Sequence, residues 1–208
     1  MKILLASNGK FLIEQGYQLF GIPKEKIHIG WVTTASKGEE KLDYLERHRR
    51  AMQDFGYKFE EFDIEGKTKE EILTFFADKN VIHVEGGNTF YLLKAIKETG
   101  FDEILKTLLD GGLMYGGTSA GAYVMCPVIE VSTWGPKVKS RYGLTDLTAL
   151  HYVPFCLLVH YTDDEENLAR EKMKTLDYPL LVLRDGQGIL AENGIYTFVG
   201  EGEEVRLD

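Results

Sequence analysis

The chain has 208 residues, 44% apolar and 27% charged, which fits a globular protein with one sizeable core, and residues 1–208 read as a single domain. A net charge of −9, with only a short interrupted basic cluster at Lys137-Val-Lys-Ser-Arg141, argues against nucleic acid as a partner. No apolar run approaches a membrane span, the start reads as a short strand rather than a signal peptide, and Cys126 and Cys156 offer neither a disulfide framework nor metal-ligand spacing; the expected location is the cytoplasm.

Ile3 to Ala6 reads as the first strand, and Phe11 to Phe20 as a helix stopped by Gly21 with Pro23 beyond. Ile27 to Thr33 is a second strand, ending in the small-residue loop Thr34-Ala-Ser-Lys-Gly38. A helix over about Glu39 to Phe55 follows, with Leu42, Leu45, Arg49 and Met52 at helical spacing. Tyr57 to Ile64 is a third strand, and Thr68 with Glu71 forms a capping-box signature for a short helix to Asp78. Val81 to Val84 runs directly into Glu85-Gly-Gly-Asn-Thr89, where a helix with Phe90, Leu93 and Ile96 begins. Phe101 to Leu109 is a further helix, broken by Gly111 and Gly112, and Leu113 to Tyr115 is a strand leading to Ser119.

This β-α-β-α rhythm implies an α/β fold, a mostly parallel sheet with helices on both faces, whose sites lie beyond the carboxyl ends of the strands. The pattern then changes. Val128 to Val131 and Gly143 to Leu147 look like short strands or extended loops, and Tyr152 to Val159 is an apolar run ending at His160. A polar helix is expected from about Asp164 to Thr175, a buried strand at Leu180 to Leu183, and a hairpin or meander over Ile189 to Val205.

Gly117-Thr118-Ser119-Ala120-Gly121 fits the pattern G-x-S-x-G of a nucleophile elbow. A serine at the tip of a tight strand-to-helix turn takes a strained backbone conformation, and the flanking glycines permit close approach across the turn. The amide of Ala120 then opens a helix, where backbone N–H groups are unpaired. A glycine-rich loop before any helix would give the same string, so the rest of the constellation has to be found. A serine hydroxyl needs a base, and the base an orienting acid. Of five histidines, His28 and His48 read as solvated or structural, and His151 falls at the wrong end of its run. His160 follows a buried run and precedes a polar loop, which favours it as the base; His83, close to Gly86, is the rival. Asp185 has the same placement after Leu180 to Leu183, while Asp163 and Asp164 read as caps of the following helix. The order Ser119, His160, Asp185 differs from the Ser–Asp–His order of α/β-hydrolases. An oxyanion hole would combine the amide of Ala120 with one from the Gly86-Gly87 loop. No lysine follows that loop at P-loop spacing, so nucleotide binding is weakly supported.

Four segments together resemble peptidase E: Val84-Glu-Gly-Gly-Asn-Thr-Phe-Tyr-Leu-Leu93, Gly117-Thr-Ser-Ala-Gly-Ala122, Val159 to Tyr161, and Arg184-Asp-Gly186. That family comprises serine peptidases that remove an N-terminal aspartate from small peptides, with cyanophycinase as a relative. The resemblance covers nearly the full length. It implies a three-layer sandwich similar to class I glutamine amidotransferase domains, a short peptide as substrate, and no metal or organic cofactor. By position, Ser119 matches the nucleophile, His160 the base, and Gly87 and Ala120 the oxyanion-hole amides, while Asp185 falls where peptidase E has a glutamate. Arg170 stands at roughly the place of an arginine linked to recognition of the aspartate side chain. The chain departs from the family in the loop Val131 to Lys137, which lacks an aspartate, at Val159, where a proline precedes the histidine, and at Thr118, where many members have tryptophan. An amidase or amidotransferase-like hydrolase, a cyanophycinase-like peptidase, and an inactive binding module retaining the elbow are the alternatives.

Overall fold

Strand β1 (Lys2–Ala6) is apolar after its first residue, and its neighbours part company. Ile3 and Leu5 enter one core, while Leu4 and Ala6 enter another. Successive strand side chains point to opposite faces, so an unbroken apolar run marks a strand covered on both sides. The same division recurs in β4 (Val81–Val84), where Ile82 and Val84 face the first core and Val81 the second.

The computed structural model describes residues 1–135 and 140–207. Among these, seven strands form one sheet in the order β3 (Lys58–Phe62), β2 (His28–Val32), β4, β5 (Met114–Thr118), β1, β8 (Gln187–Glu192) and β9 (Ile195–Gly200). Besides β1 and β4, its parallel part comprises β2, β3 and β5. Helices α1 (Gly9–Glu14) and α2 (Asp43–Asp54) cover one face through Phe11, Leu12, Leu45 and Met52. Helices α3 (Lys69–Phe76), α4 (Thr89–Thr99), α5 (Phe101–Asp110) and the single turn α6 (Ala120–Tyr123) cover the other. The fold is thus the α/β sandwich expected from the sequence.

Local differences have local causes. The helix expected over Phe11 to Phe20 is two pieces. Asn8 caps α1 by accepting from the Phe11 amide, and a 3-10 helix at Gly16–Phe20 follows, closed by Gly21 at φ 74°. Gly16 lies where a Cβ would come within 2.7 Å of Leu4, so the chain turns there to press against the sheet. Helix α2 starts at Asp43 rather than Glu39, because Thr34–Gly38 coils into a 3-10 turn first. Leu42 consequently lies exposed, off the buried stripe. The capping box at Thr68 and Glu71 is formed as expected.

The larger correction lies after the elbow. Of the run Tyr152 to Val159 only β6 (Cys156–Leu158) pairs as a strand, and it pairs in parallel with β7 (Leu180–Val182) in a separate two-stranded sheet. Helix α7 (Glu166–Lys172) connects them, flanked by 3-10 turns. Leu180 and Leu181 are half-buried rather than buried. The C-terminal hairpin β8 (Gln187–Glu192) and β9 (Ile195–Gly200) joins the main sheet antiparallel to β1. Its turn, Asn193-Gly194, has positive φ at both residues, the geometry that matches strand twist in a two-residue hairpin. The expected basic cluster and the family-divergent loop fall partly on residues 136–139, outside the described residues. No helix among the described residues is long and apolar enough to cross a membrane.

Candidate active site

The parallel strand β5 ends at Thr118, α6 begins at Ala120, and Ser119 between them has φ 49° and ψ −107°. Such a backbone is strained for any residue with a side chain and persists only where its surroundings enforce it. Here they do. A Cβ on Gly117 would run into the Gly121 carbonyl, and one on Gly121 into the Val84 carbonyl of β4. The second glycine therefore serves contact with the neighbouring strand, not only contact across the turn. Tyr115 donates its hydroxyl to the Gly121 carbonyl at 2.7 Å, and the Ser119 amide donates to Ala6 at 3.1 Å.

The elbow presents Ser119 Oγ 3.0 Å from His160 Nε2, and His160 Nδ1 lies 2.7 Å from Asp185 Oδ1. A carboxylate only accepts, so Nδ1 carries the proton and Nε2 is left to accept from the serine hydroxyl. The His160 hydrogen bond, together with those from Ser7 and Asn8, holds the Asp185 carboxyl below its ordinary range against partial burial. His160 and Asp185 follow β6 and β7, so two elements of the small sheet face a nucleophile delivered by the large one.

A cavity of about 500 Å³ opens over these three residues and is lined further by Gly86, Gly87, Tyr44 and His48. Gly87, at φ 146°, lies against the Ala35 carbonyl, where a Cβ would come within 2.5 Å. The next residue, Asn88, donates its amide to the same carbonyl at 2.9 Å and caps α4. Ala120 is the first residue of α6, a position whose amide has no acceptor within the helix.

A sequence model of peptidase family S51 matches residues 4–199. The chain belongs to peptidase family S51. It is 31% identical over 195 residues to an uncharacterized peptidase of Pasteurella multocida, covering 92% of this chain and 94% of that one. It is 30% identical over 171 residues to a probable alpha-aspartyl dipeptidase of Drosophila melanogaster, covering 76% of this chain and 67% of that one. A 1.5 Å crystal structure of a Listeria monocytogenes protein provisionally assigned to peptidase E superposes with a TM-score of 0.84 at 27% identity. It covers 97% of this chain and 98% of that one.

The other histidines of this S51 peptidase are accounted for individually. His83, the rival base, is fully buried beneath the sheet edge, 2.7 Å from the Tyr17 hydroxyl, and burial pushes it down to about 4. It does not line the cavity. His28 is buried against the Asp78 carbonyl and Glu60. Its cluster with Glu60 and Asp78 has metal-ligand spacing, but the Lys79 ammonium sits 3.1 Å from Glu60 and 2.7 Å from Asp78. His151 is exposed and packs edge-on against Tyr178. His48 departs from expectation: it lines the cavity, with Nδ1 2.9 Å from Glu85.

Arg170 lies on α7, ion-paired to Glu166 at 2.8 Å, and is not among the cavity-lining residues. The cations that do line the cavity are Lys10 and Arg47. Sequence reasoning missed two residues that tie the site together. Ser7, fully buried just beyond β1, accepts from the His160 amide at 2.9 Å and donates to Asp185 at 3.0 Å. Glu85, also buried, joins four donors beneath the Gly86-Gly87 turn. Both carried the signal that singled out His160: a polar residue directly after an apolar strand.

Proposed function

We propose that this S51 peptidase hydrolyses short peptides through a Ser119–His160–Asp185 triad and an acyl-enzyme. The relay of hydrogen bonds from Ser119 Oγ through His160 to Asp185 carries the reading. Ser119 attacks the scissile carbonyl while His160 Nε2 takes its proton, and Asp185 stabilises the imidazolium that forms. The amides of Gly87 and Ala120 receive the oxyanion. The protonated His160 then returns its proton to the leaving amine, and water, deprotonated by the same ring, releases the acyl group.

In this reading residues 1–208 form one catalytic domain, supported by the family match over 4–199. Two free, buried cysteines are in keeping with a cytoplasmic location. Removal of an N-terminal aspartate is the specificity suggested by the resemblance to peptidase E and by the name of the Drosophila relative. Arg47 is better placed than Arg170 to meet a substrate carboxylate, since it lines the cavity and forms no ion pair among the described residues.

Ser119→Ala should lower turnover of peptide substrates by several orders of magnitude, and a fluorophosphonate should label the wild type but not the variant. Wild-type turnover by Ser119→Ala refutes the triad. A panel of Xaa-dipeptides and Xaa-arylamides, with aspartyl, asparaginyl and isoaspartyl members, assigns specificity. Release of ammonia rather than an amino acid would indicate an amidase.

A further inference from the structure

Strand β4 is apolar at three of its four positions, yet the residue after it is a carboxylate 1% exposed. Desolvating a carboxylate opposes folding unless donors saturate it, and an apolar residue would fill the space without that penalty. Saturation is complete here. Glu85 Oε1 accepts from the Gly86 amide at 2.7 Å and the Thr118 hydroxyl at 2.9 Å. Oε2 accepts from the Trp31 indole at 3.1 Å and His48 Nδ1 at 2.9 Å. Burial alone would raise the carboxyl, but the His48 hydrogen bond, the nearby His83 and the Gly86 amide hold it down to about 2.

The partners are not scattered. Gly86 precedes Gly87, whose amide would bind the oxyanion, and Thr118 precedes Ser119. A Cβ placed on Gly86 would lie 3.1 Å from Ser119 Cβ, so the two turns abut. A second tie closes the outer side: Tyr44 of α2 donates its hydroxyl to the Gly86 carbonyl at 3.1 Å. One carboxylate thus fixes the oxyanion turn relative to the nucleophile, and His48, one helical turn after Tyr44, reaches that carboxylate from the cavity wall.

We propose that Glu85 is the positioning residue of the oxyanion-binding turn, and that His48 acts through it as the donor on the cavity side. The inference rests on the serine-peptidase reading above. Oxyanion donors act on an oxygen that becomes negative only in the transition state, so disturbing their aim lowers kcat and leaves KM nearly unchanged.

The experiment compares Glu85→Gln, Glu85→Leu, Thr118→Val, His48→Asn and His48→Leu in the full chain. Readouts are kcat, KM, melting temperature, fluorophosphonate active-site titration, and the affinity of a peptide boronate as tetrahedral mimic. Glu85→Leu should lose about 100-fold in kcat per titrated site, with KM within about threefold and boronate affinity falling in parallel. Glu85→Gln, which keeps the acceptor for Gly86 and Thr118, should recover most of that loss. His48→Asn keeps a donor where Nδ1 stood and should exceed His48→Leu in kcat. Where Glu85→Leu does not fold, Thr118→Val carries the test, with a loss of about tenfold expected. Wild-type kcat in folded Glu85→Leu or in Thr118→Val overturns the proposal, as does a loss confined to KM or to melting temperature. Failure of the triad reading is seen separately, as turnover by Ser119→Ala.

Discussion

Replacing Ser7 by alanine removes one oxygen and leaves every triad side chain in place. That oxygen is fully buried, accepts from the His160 amide at 2.9 Å and donates to Asp185 at 3.0 Å. Without it the His160 amide loses its acceptor, a loss of about 1–3 kcal/mol. Asp185 is affected less, since it retains His160 and Asn8 as partners. For a domain of this size about 2 kcal/mol lowers the melting temperature by roughly 5 °C. The catalytic effect should be larger than the thermal one suggests. His160 has φ 59°, a conformation disfavoured for a residue with a side chain, and Ser7 is the group that grips its amide. A displacement of about 1 Å in a catalytic group costs on the order of 100-fold, so kcat in Ser7→Ala should fall between about 10- and 100-fold. Steady-state turnover of a preferred peptide and calorimetry on the same preparation test both numbers. A variant with kcat within twofold of wild type and an unchanged melting temperature would refute the assignment of Ser7 as the clasp between base and acid.

Asp185→Asn removes the charge beside the imidazolium, and kcat near neutral pH should fall by about 10³–10⁴-fold in stopped assays, while Ser119 labelling slows in parallel. Because His160 holds the Asp185 carboxyl below its ordinary value, the stability it contributes is present above the ordinary carboxylate range and lost as pH falls through the lowered value. His83 acts in the same direction by a different cause: it is buried neutral and pushed down to about 4, so the unfolded chain takes up its proton first. Stability should therefore fall as pH drops from about 6.5 to about 4, by on the order of 3 kcal/mol, and His83→Gln should remove that slope in urea titrations. Gly121→Ala, whose Cβ would run into the Val84 carbonyl, should prevent folding or abolish activity. Gly194→Ala, at a hairpin tip where a Cβ would meet no described atom within 4 Å, should lose only the stability that its positive φ of 80° costs a side chain, with turnover kept when expression and turnover are compared.

The parallel core of the sheet was legible because its strands are buried on both faces. Ile3 to Ala6 therefore has no polar interruption, and Val81 to Val84 has only the buried His83. The elbow was legible because steric contact admits little besides glycine at 117 and 121. The strand pairing after residue 124 was not. Tyr152 to Val159 looks like one long strand, but Tyr152 to Phe155 spends its apolar side chains on core contacts without pairing, and only Cys156–Leu158 joins a ladder. Periodicity reports burial and is silent about which edge a strand finds. His160 and Asp185 were still picked out, since residues following buried runs emerge at a strand edge whichever sheet holds the run. Ser7 and Glu85 emerge by the same rule. They went unread because a small hydroxyl or a lone acid suggests no chemistry until its partners are known. His48 was hidden differently: on a helix rich in charge, only the tertiary approach of Glu85 separates it from its solvated neighbours.

The division of the site between two sheets has a thermal consequence. Ser119 rides on the large seven-stranded sheet, whereas His160 and Asp185 ride on three-residue strands joined to each other. Short ladders carry fewer hydrogen bonds than long ones, so the seam between the sheets should part before the molecule unfolds. Enzymatic inactivation on warming should then precede loss of the far-ultraviolet helix signal and reverse on cooling. Turnover would thus report the closure of that seam before bulk spectroscopy registers any change.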